Sequence, residues 1–349
     1  MRRRIRLALS REKIIEYVMR VRVRVRVRVG VGVGVGVGVG VGVGVEVRVE
    51  SISHRRQADS TLYPFAVASK PEKAAGMKCI ICDSNSSYFF SKEYTEHPFD
   101  YFMRNIGKVD YYKCDKCGFV ISKTHSELDA ARWSDLNYQF HHYHESSGIA
   151  KQINQPPYAE QAMALSFLGK NKIVNTSSMI DIAAGYGCLS KILSKYYNLT
   201  LPMFDPYVQS KSSNKYINSQ DLQTYMTVIN SAMFEHVIKR EDLEKVNDVV
   251  DPDGCLIIHT VICENVPKDP NWFYLRPPVH TAFHTNKSMQ ILMKQWGYRS
   301  SIYSPQAKCW VLLRGNTSGV QESIARLNEE LQSRWFYYKE GFMDYWKGF

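Results

Sequence analysis

Two Cys-x-x-Cys pairs constrain this chain more than any other feature. Cys79-Ile80-Ile81-Cys82 and Cys114-Asp115-Lys116-Cys117-Gly118 are separated by 31 residues. Each pair can turn tightly enough to aim two thiolates at one ion, and Gly118 follows the second pair as such turns often require. Together they supply the four ligands of a closed tetrahedral site, Cys79, Cys82, Cys114 and Cys117, and the ion expected there is Zn2+. Four sulfur ligands leave no open position for chemistry, so its role is read as structural, a staple for a small module over residues 77–125. A redox or disulfide role is the weaker alternative. The arginine-rich first ten residues lack the apolar core of a secretory signal, so a reducing, cytoplasmic setting is expected.

Residues 20–49 alternate Val with Arg, then with Gly, then with Glu or Arg. Alternation is a strand's period, but Gly at every second position empties one face and raises the entropy cost of ordering. A short nucleotide repeat read in frame would write the same text. Residues 1–70 are therefore expected to be a low-complexity, disordered extension. They also carry most of the charge. The net charge is +11, yet residues 1–60 hold 14 Lys and Arg against 5 Asp and Glu, leaving 31 against 29 for the rest. A phosphate-attracting face would need that excess on the folded body, so no nucleic-acid partner is expected. With 44% hydrophobic residues and no apolar run of membrane-spanning length outside the Val-rich tract, no membrane partner is expected either.

Residues 126–157 contain Trp133 and the run Phe140-His141-His142-Tyr143-His144-Glu145. They read as an aromatic linker helix or as a lid, with Tyr143 or His144 touching a substrate; a second metal site is a third alternative. Beyond Pro156-Pro157 and a helix near 158–169, short apolar runs alternate with helical patterns. Strands are expected at 178–183, 200–204, 225–230, 255–262, 298–303 and 307–314, and helices at 187–197, 238–249 and 286–296. The fold class is α/β: a doubly wound, seven-stranded, mostly parallel sheet over residues 158–316, preceded by the zinc-binding module.

The first strand leads into Asp181-Ile182-Ala183-Ala184-Gly185-Tyr186-Gly187, an acid and then small residues before a helix, which lets a ligand approach the backbone closely. It is not the Gly-x-Gly-x-x-Gly of a pyrophosphate-binding turn, which argues against an NAD-type oxidoreductase. The stretch resembles motif I of class I S-adenosylmethionine-dependent methyltransferases, with Ala183 in place of the first Gly. Asp205-Pro206 then ends the second strand 18 residues beyond Gly187, where that family places the acid that binds the ribose hydroxyls. Asp221-Leu222 is similar to its adenine-contacting turn, and Ser231 opens a segment that resembles its Glu-His motif at Glu235-His236. Asp251-Pro252-Asp253-Gly254 resembles the turn entering the fifth strand.

The resemblance implies S-adenosyl-L-methionine as cofactor, held by Asp181, Ala183, Ala184, Gly185, Gly187, Asp205, Pro206, Asp221, Leu222 and Ser231. A four-Cys ribbon ahead of such a domain resembles the subgroup that includes C-methyltransferases of nucleotide-linked deoxysugars, although their further C-terminal domain is missing. That implies a small-molecule acceptor, His236 as general base with Glu235 beside it, and His280, in a loop over the substrate, as a substrate contact. The alternative is a degenerate methyltransferase fold whose zinc module binds a partner; Ala183, and Tyr225-Met226 at the fourth strand, support it.

Cys188, Cys255, Cys263 and Cys309 fall in or beside apolar runs and are read as buried, inert thiols. At the C-terminus, Val320, Ile324, Leu327, Leu331, Trp335, Tyr338, Phe342 and Tyr345 recur at steps of three or four, one apolar face of a helix of about 26 residues within 317–349. That face could pack on its own domain or form a homodimer.

Overall fold

The computed structural model describes residues 22–32, 40–50, 77–146, 156–208 and 216–344, except for the side chains of 22–32, 40–50 and 144–146. The chain divides into two compact units, Met1–Pro71 and Glu72–Phe349. In the first, β1 (Arg22–Gly32) and β2 (Gly40–Glu50) pair antiparallel with Val facing Val along the register, as at Val23↔Val49 and Val25↔Val47. An alternating tract that folds back on itself satisfies its backbone donors and acceptors from its own partner strand.

The second unit opens with a meander of β3 (Met77–Lys78), β4 (Asn85–Lys92), β5 (Val109–Cys114) and β6 (Val120–Ser122), each antiparallel to the next. Helix α1 (Phe99–Met103) interrupts it; α2 (Lys123–Ser126), α3 (Ala130–Ser146) and α4 (Tyr158–Lys170) follow. Then come β7 (Met179–Ile182), α5 (Cys188–Ile192), β8 (Met203–Phe204), β9 (Tyr225–Ser231), α6 (Arg240–Asp248) and β10 (Val250–His259). The chain continues through β11 (Ile262–Cys263), β12 (Ala282–Thr285), α7 (Asn286–Gln295), β13 (Ser300–Ser304), β14 (Cys309–Leu313), α8 (Val320–Glu330) and β15 (Tyr337–Glu340).

Seven of these strands form one sheet in the order β15-β13-β14-β10-β9-β7-β8. The four strands β8, β7, β9 and β10 run parallel, while β14, β13 and β15 add antiparallel pairs at the far side. Period-2 alternation sends Ile180, Leu256, Ile258 and Leu312 to one face, against Leu243 and Val246 of α6 and Met289 and Leu292 of α7. It sends Met179, Ile257, Val311 and Leu313 to the other, against Leu165 of α4, Leu193 and Ile324 of α8. The doubly wound α/β expectation therefore holds. Gly254 shows how tightly the turn into the central strand is built. A Cβ there would lie 2.8 Å from the Met226 carbonyl oxygen and 3.1 Å from that of Asp251.

Three expectations about local structure are corrected. In place of a long C-terminal helix, α8 ends at Glu330, and the chain turns back through Gln332 (φ 48°), where Asn328 accepts the Trp335 and Phe336 N–H groups at 2.9 and 3.0 Å. The remainder becomes β15, antiparallel to β13 and the seventh strand of the sheet, and the apolar face packs within the chain: Ile324, Leu327, Leu331 and Trp335 against the sheet. Just beyond His280, residues 282–285 form β12, which pairs antiparallel with β6. That pairing joins the Cys segment to the remainder in a six-stranded sheet, β11-β12-β6-β5-β4-β3, in place of a free-standing module. Cys188 is exposed, at the start of α5, whereas Cys255, Cys263 and Cys309 are buried as expected.

Candidate functional site

In a parallel sheet, a crevice opens beyond the carboxyl ends of the strands where the strand order reverses. Here that point lies between β7 and β9, since the chain steps from β7 to β8 on one side and returns to β9 on the other. Beyond β7, Ala183 takes a left-handed conformation (φ 59°), followed by Gly185 (φ 53°) and Gly187 (φ 71°), which starts α5. A Cβ on Gly187 would meet Met203 Sδ at 2.5 Å, so the loop sits directly on β8. Gly185 N–H donates to Asp205 Oδ2 at 2.9 Å, and the Tyr207 and Val208 N–H groups donate to Asp205 Oδ1 at 2.8 and 3.0 Å. Three of the roughly four acceptor positions of that carboxylate are thus used. The Tyr216 hydroxyl donates to the Gly185 carbonyl, closing the loop from the other side.

Asp181 lies behind this loop, 2% exposed, and its Oδ1 has no hydrogen-bond partner among the described residues. Burial, reinforced by the charge of Asp205, pushes its carboxyl up to about 8. A cavity of about 660 Å3 opens in front. Its walls come from Ala183, Pro206 and Tyr207 at the strand ends, Trp133 and Asn137 of α3, Met233 and His236 after β9, and Lys239, Glu241, Asp242 and Lys245 around α6.

The structure thus brings Ala183, Pro206 and His236 to one cavity; Asp181, Ala184, Gly185, Gly187 and Asp205 do not line it but belong to the same loop and strand ends, Gly185 being bonded to Asp205. The other expected residues that are described lie off this wall. From α3, Trp133 and Asn137 line the cavity instead of Tyr143, whose ring packs edge-on against Phe102 at 5.8 Å; the His144 side chain lies outside the described residues. The wall uses the buried stripe of the helix, which passes through Trp133 and Asn137 at a spacing of four. Asp221 and Leu222 are not on the cavity wall: Asp221 accepts from Asn218 at 3.0 Å in an exposed turn, and Leu222 packs on the core. Ser231 donates to buried Gln161 of α4 at 2.9 Å.

Glu235 and His236 form a short turn after β9, and His280 joins them from the segment ahead of β12. His280 does not line the cavity, but its ring centroid is 5.0 Å from that of His236, and the His141 ring is 5.3 Å from His236. One ligand atom each of Glu235, His236 and His280 lies within 4.8 Å of the others. Burial pushes the Glu235 carboxyl up to about 7, against hydrogen bonds from the Tyr274 and Thr260 hydroxyls. Burial, then His280 and His141, hold His236 well below the usual imidazole range, so it is neutral at physiological pH. Sequence reasoning missed Thr260 and Tyr274, as it missed Trp133 and Asn137. Tyr207 was within reach, being adjacent to the recognised Asp205-Pro206.

The four cysteines form a second cluster. Cys79 Sγ and Cys117 Sγ are 3.7 Å apart, and Cys82 Sγ and Cys114 Sγ 3.5 Å. A tetrahedral ion with bonds of ~2.3 Å sets its sulfurs about 3.8 Å apart, so the spacing fits zinc. The Ile81 and Cys117 N–H groups donate to Cys79 and Cys114 Sγ, each at 3.4 Å. Arg240 and Gln295 hold the first turn through the Ile81 carbonyl, and Thr285 holds the second through the Cys117 carbonyl.

No family model matches the chain, and no curated protein matches it. Among solved structures, it is similar to the plantazolicin methyltransferase BpumL in complex with SAH, at 14% identity over 60% of this chain and 96% of that one, with a TM-score of 0.37. BpumL in complex with a monoazolic desmethylPZN analog and SAH gives 12% identity over 53% and 97%, with a TM-score of 0.36. Streptomyces venezuelae DesVI gives 12% identity over 54% and 99%, with a TM-score of 0.33.

Proposed function

We propose that this chain transfers a methyl group from S-adenosylmethionine to a small-molecule acceptor, a nucleotide-linked sugar being the class its sequence resemblance implies. The observation that carries the reading is the hydrogen bond from Gly185 N–H to Asp205 Oδ2, 2.9 Å long. It joins the loop that resembles motif I to the acid that resembles the ribose-binding residue, across the sheet's switch point and beside a cavity large enough for a cofactor and part of an acceptor. When bound, the cofactor supplies an electrophilic methyl group on a sulfonium.

The residues of this chain do the rest. Asp205 keeps an acceptor position for a ribose hydroxyl, and Asp181 offers its unpartnered Oδ1 to a donor on the cofactor. The left-handed Ala183 keeps the loop close enough for a ligand to approach the backbone. Trp133 and Tyr207 help exclude water, and Lys239, Glu241, Asp242 and Lys245 give the outer wall both signs of charge, suited to a polar acceptor. His236, neutral and on the cavity wall, takes the acceptor's proton as the methyl bond forms, with Glu235 beside it. Positioning the acceptor about 3 Å from the methyl carbon supplies much of the rate. Zn2+ at Cys79, Cys82, Cys114 and Cys117 is proposed as a purely structural ion, supported by the sulfur spacing.

The test is a calorimetric titration of S-adenosylhomocysteine into the folded protein, with Asp205→Ala as control. Micromolar binding that the substitution weakens at least tenfold is expected; no binding by the folded wild type would overturn the reading.

A further inference from the structure

Glu235 is 2% exposed, and its Oε2 has no hydrogen-bond partner among the described residues. The same is true of His236 Nδ1, a buried nitrogen beside it. Two unsatisfied polar atoms side by side are costly, because each has lost water and gained nothing in return. Among the described residues no partner for these atoms is present, but Glu235 and His280 are each held by their neighbours. Tyr274, held by the Val261 N–H at 3.1 Å, donates with Thr260 to the Glu235 carboxylate. His280 Nδ1 donates to the Tyr274 carbonyl at 2.7 Å, which leaves its Nε2 as the lone-pair nitrogen. Thr281 N–H donates to the Glu235 carbonyl at 2.7 Å and Thr281 Oγ1 to the Val237 carbonyl at 2.7 Å, clamping the His280 segment onto the turn.

A histidine whose second ring nitrogen is tied to a carbonyl, beside a carboxylate itself held by hydroxyls, is the outer support that metal ligands carry. We propose that Glu235, His236 and His280 form a second metal site, for a divalent ion of the zinc type, distinct from the four-cysteine cluster. The donors are two imidazoles and one carboxylate, the set that suits Zn2+ or Co2+ and that leaves a fourth position open. Of the three, His236 is the one that lines the cavity, which brings the cluster to its wall. Three ligand atoms already within 4.8 Å of one another need side-chain rotation of about an ångström to reach the ~3.4 Å separation of ligands on a tetrahedral ion. The site deepens the methyl-transfer reading and rests on it only for the fourth ligand, an oxygen of the acceptor. An ion held there would take His236 as a ligand in place of its role as base, and would lower the pKa of a coordinated acceptor hydroxyl, whose proton would then leave to water in the cavity.

The test is to strip the full-length protein of metal under reducing conditions and titrate it with Co2+. The expected result is two cobalt ions per chain, one with sulfur-to-cobalt charge-transfer absorption and one with only the weak visible bands of nitrogen and oxygen ligands. Glu235→Gln and His280→Gln are each expected to remove the second signature and leave the first. A wild-type chain with no nitrogen-oxygen signature overturns the site whatever the variants do, and so does a second ion that survives in both folded variants. S-adenosylhomocysteine binding to the cobalt-free protein reports separately on the methyl-transfer reading. Binding without a second cobalt leaves that reading standing and removes this site; a second cobalt without binding does the reverse.

Discussion

The two ligand clusters differ in how their members reach one another. Cys79, Cys82, Cys114 and Cys117 arrive as two local turns, and β4 and β5, paired from Ser86↔Cys114 onward, bring the turns together. Glu235, His236 and His280 meet only because β12 leaves the main chain path to pair with β6, which carries the preceding segment past the turn after β9. The first cluster is closed, with each sulfur near its neighbours and backbone donors aimed at two of them. The second has unsatisfied polar atoms and one member on a cavity wall. A closed cluster is expected to act on stability, and an open one on whatever enters the cavity.

The strongest way to break that contrast is Cys117→Ser. Cys117 is 2% exposed in a core that also contains α6 and α7, so losing one ligand should cost ~4 kcal/mol or more of stability along with the metal, measured by denaturant unfolding and metal analysis. A stable, metal-loaded variant would contradict it. His236→Asn tests the other side. Turnover of an identified acceptor should fall by about 10²–10⁴-fold, with S-adenosylhomocysteine affinity changed by less than about threefold; a matching loss of affinity would move His236 to the cofactor side.

His125 serves as a control for an imidazole that is buried but does not line the cavity. It is fully buried, bonded through Nδ1 to Ser122 Oγ at 2.7 Å, and burial lowers it from 6.5 to about 4. Because the folded value is depressed, its contribution is present above pH 6.5 and is lost as pH falls toward 4. Unfolding measured at both ends of that window should show a loss of about 3 kcal/mol that His125→Gln removes. Turnover normalised to folded protein should not respond to the substitution. The smallest expected effect is that of Asp205→Ala, about 10- to 100-fold in S-adenosylhomocysteine affinity, with the cobalt count at both clusters unchanged.

Much of the sheet was legible in the sequence because its strands are continuous apolar runs between helical patterns. The loop at Asp181–Gly187 was legible because acids and small residues there serve a backbone geometry that few other residues allow. The C-terminal segment was misread because a three-to-four spacing of apolar residues continues past Leu331, although Asn328 takes the backbone donors that would have extended the turn back. Tyr143 was chosen for its chemistry, while the stripe of α3 that reaches the cavity is set by what packs beneath it, Trp133 and Leu136 in the core shared with Phe283.

The sequence by itself determined the parts whose chemistry is local: two Cys turns, a Gly-rich loop after an acid, an acid at the next strand end, and the alternation that gives a two-faced sheet. Only the tertiary structure decided which distant residues meet. It placed α3 over the cavity, drew residues 282–285 into a second sheet, and set His280 beside Glu235 and His236. The reason is that spacing along the chain fixes geometry only within a turn or a helix; beyond that, contacts are chosen by strand pairing and by the burial of apolar faces, which depend on the whole chain at once.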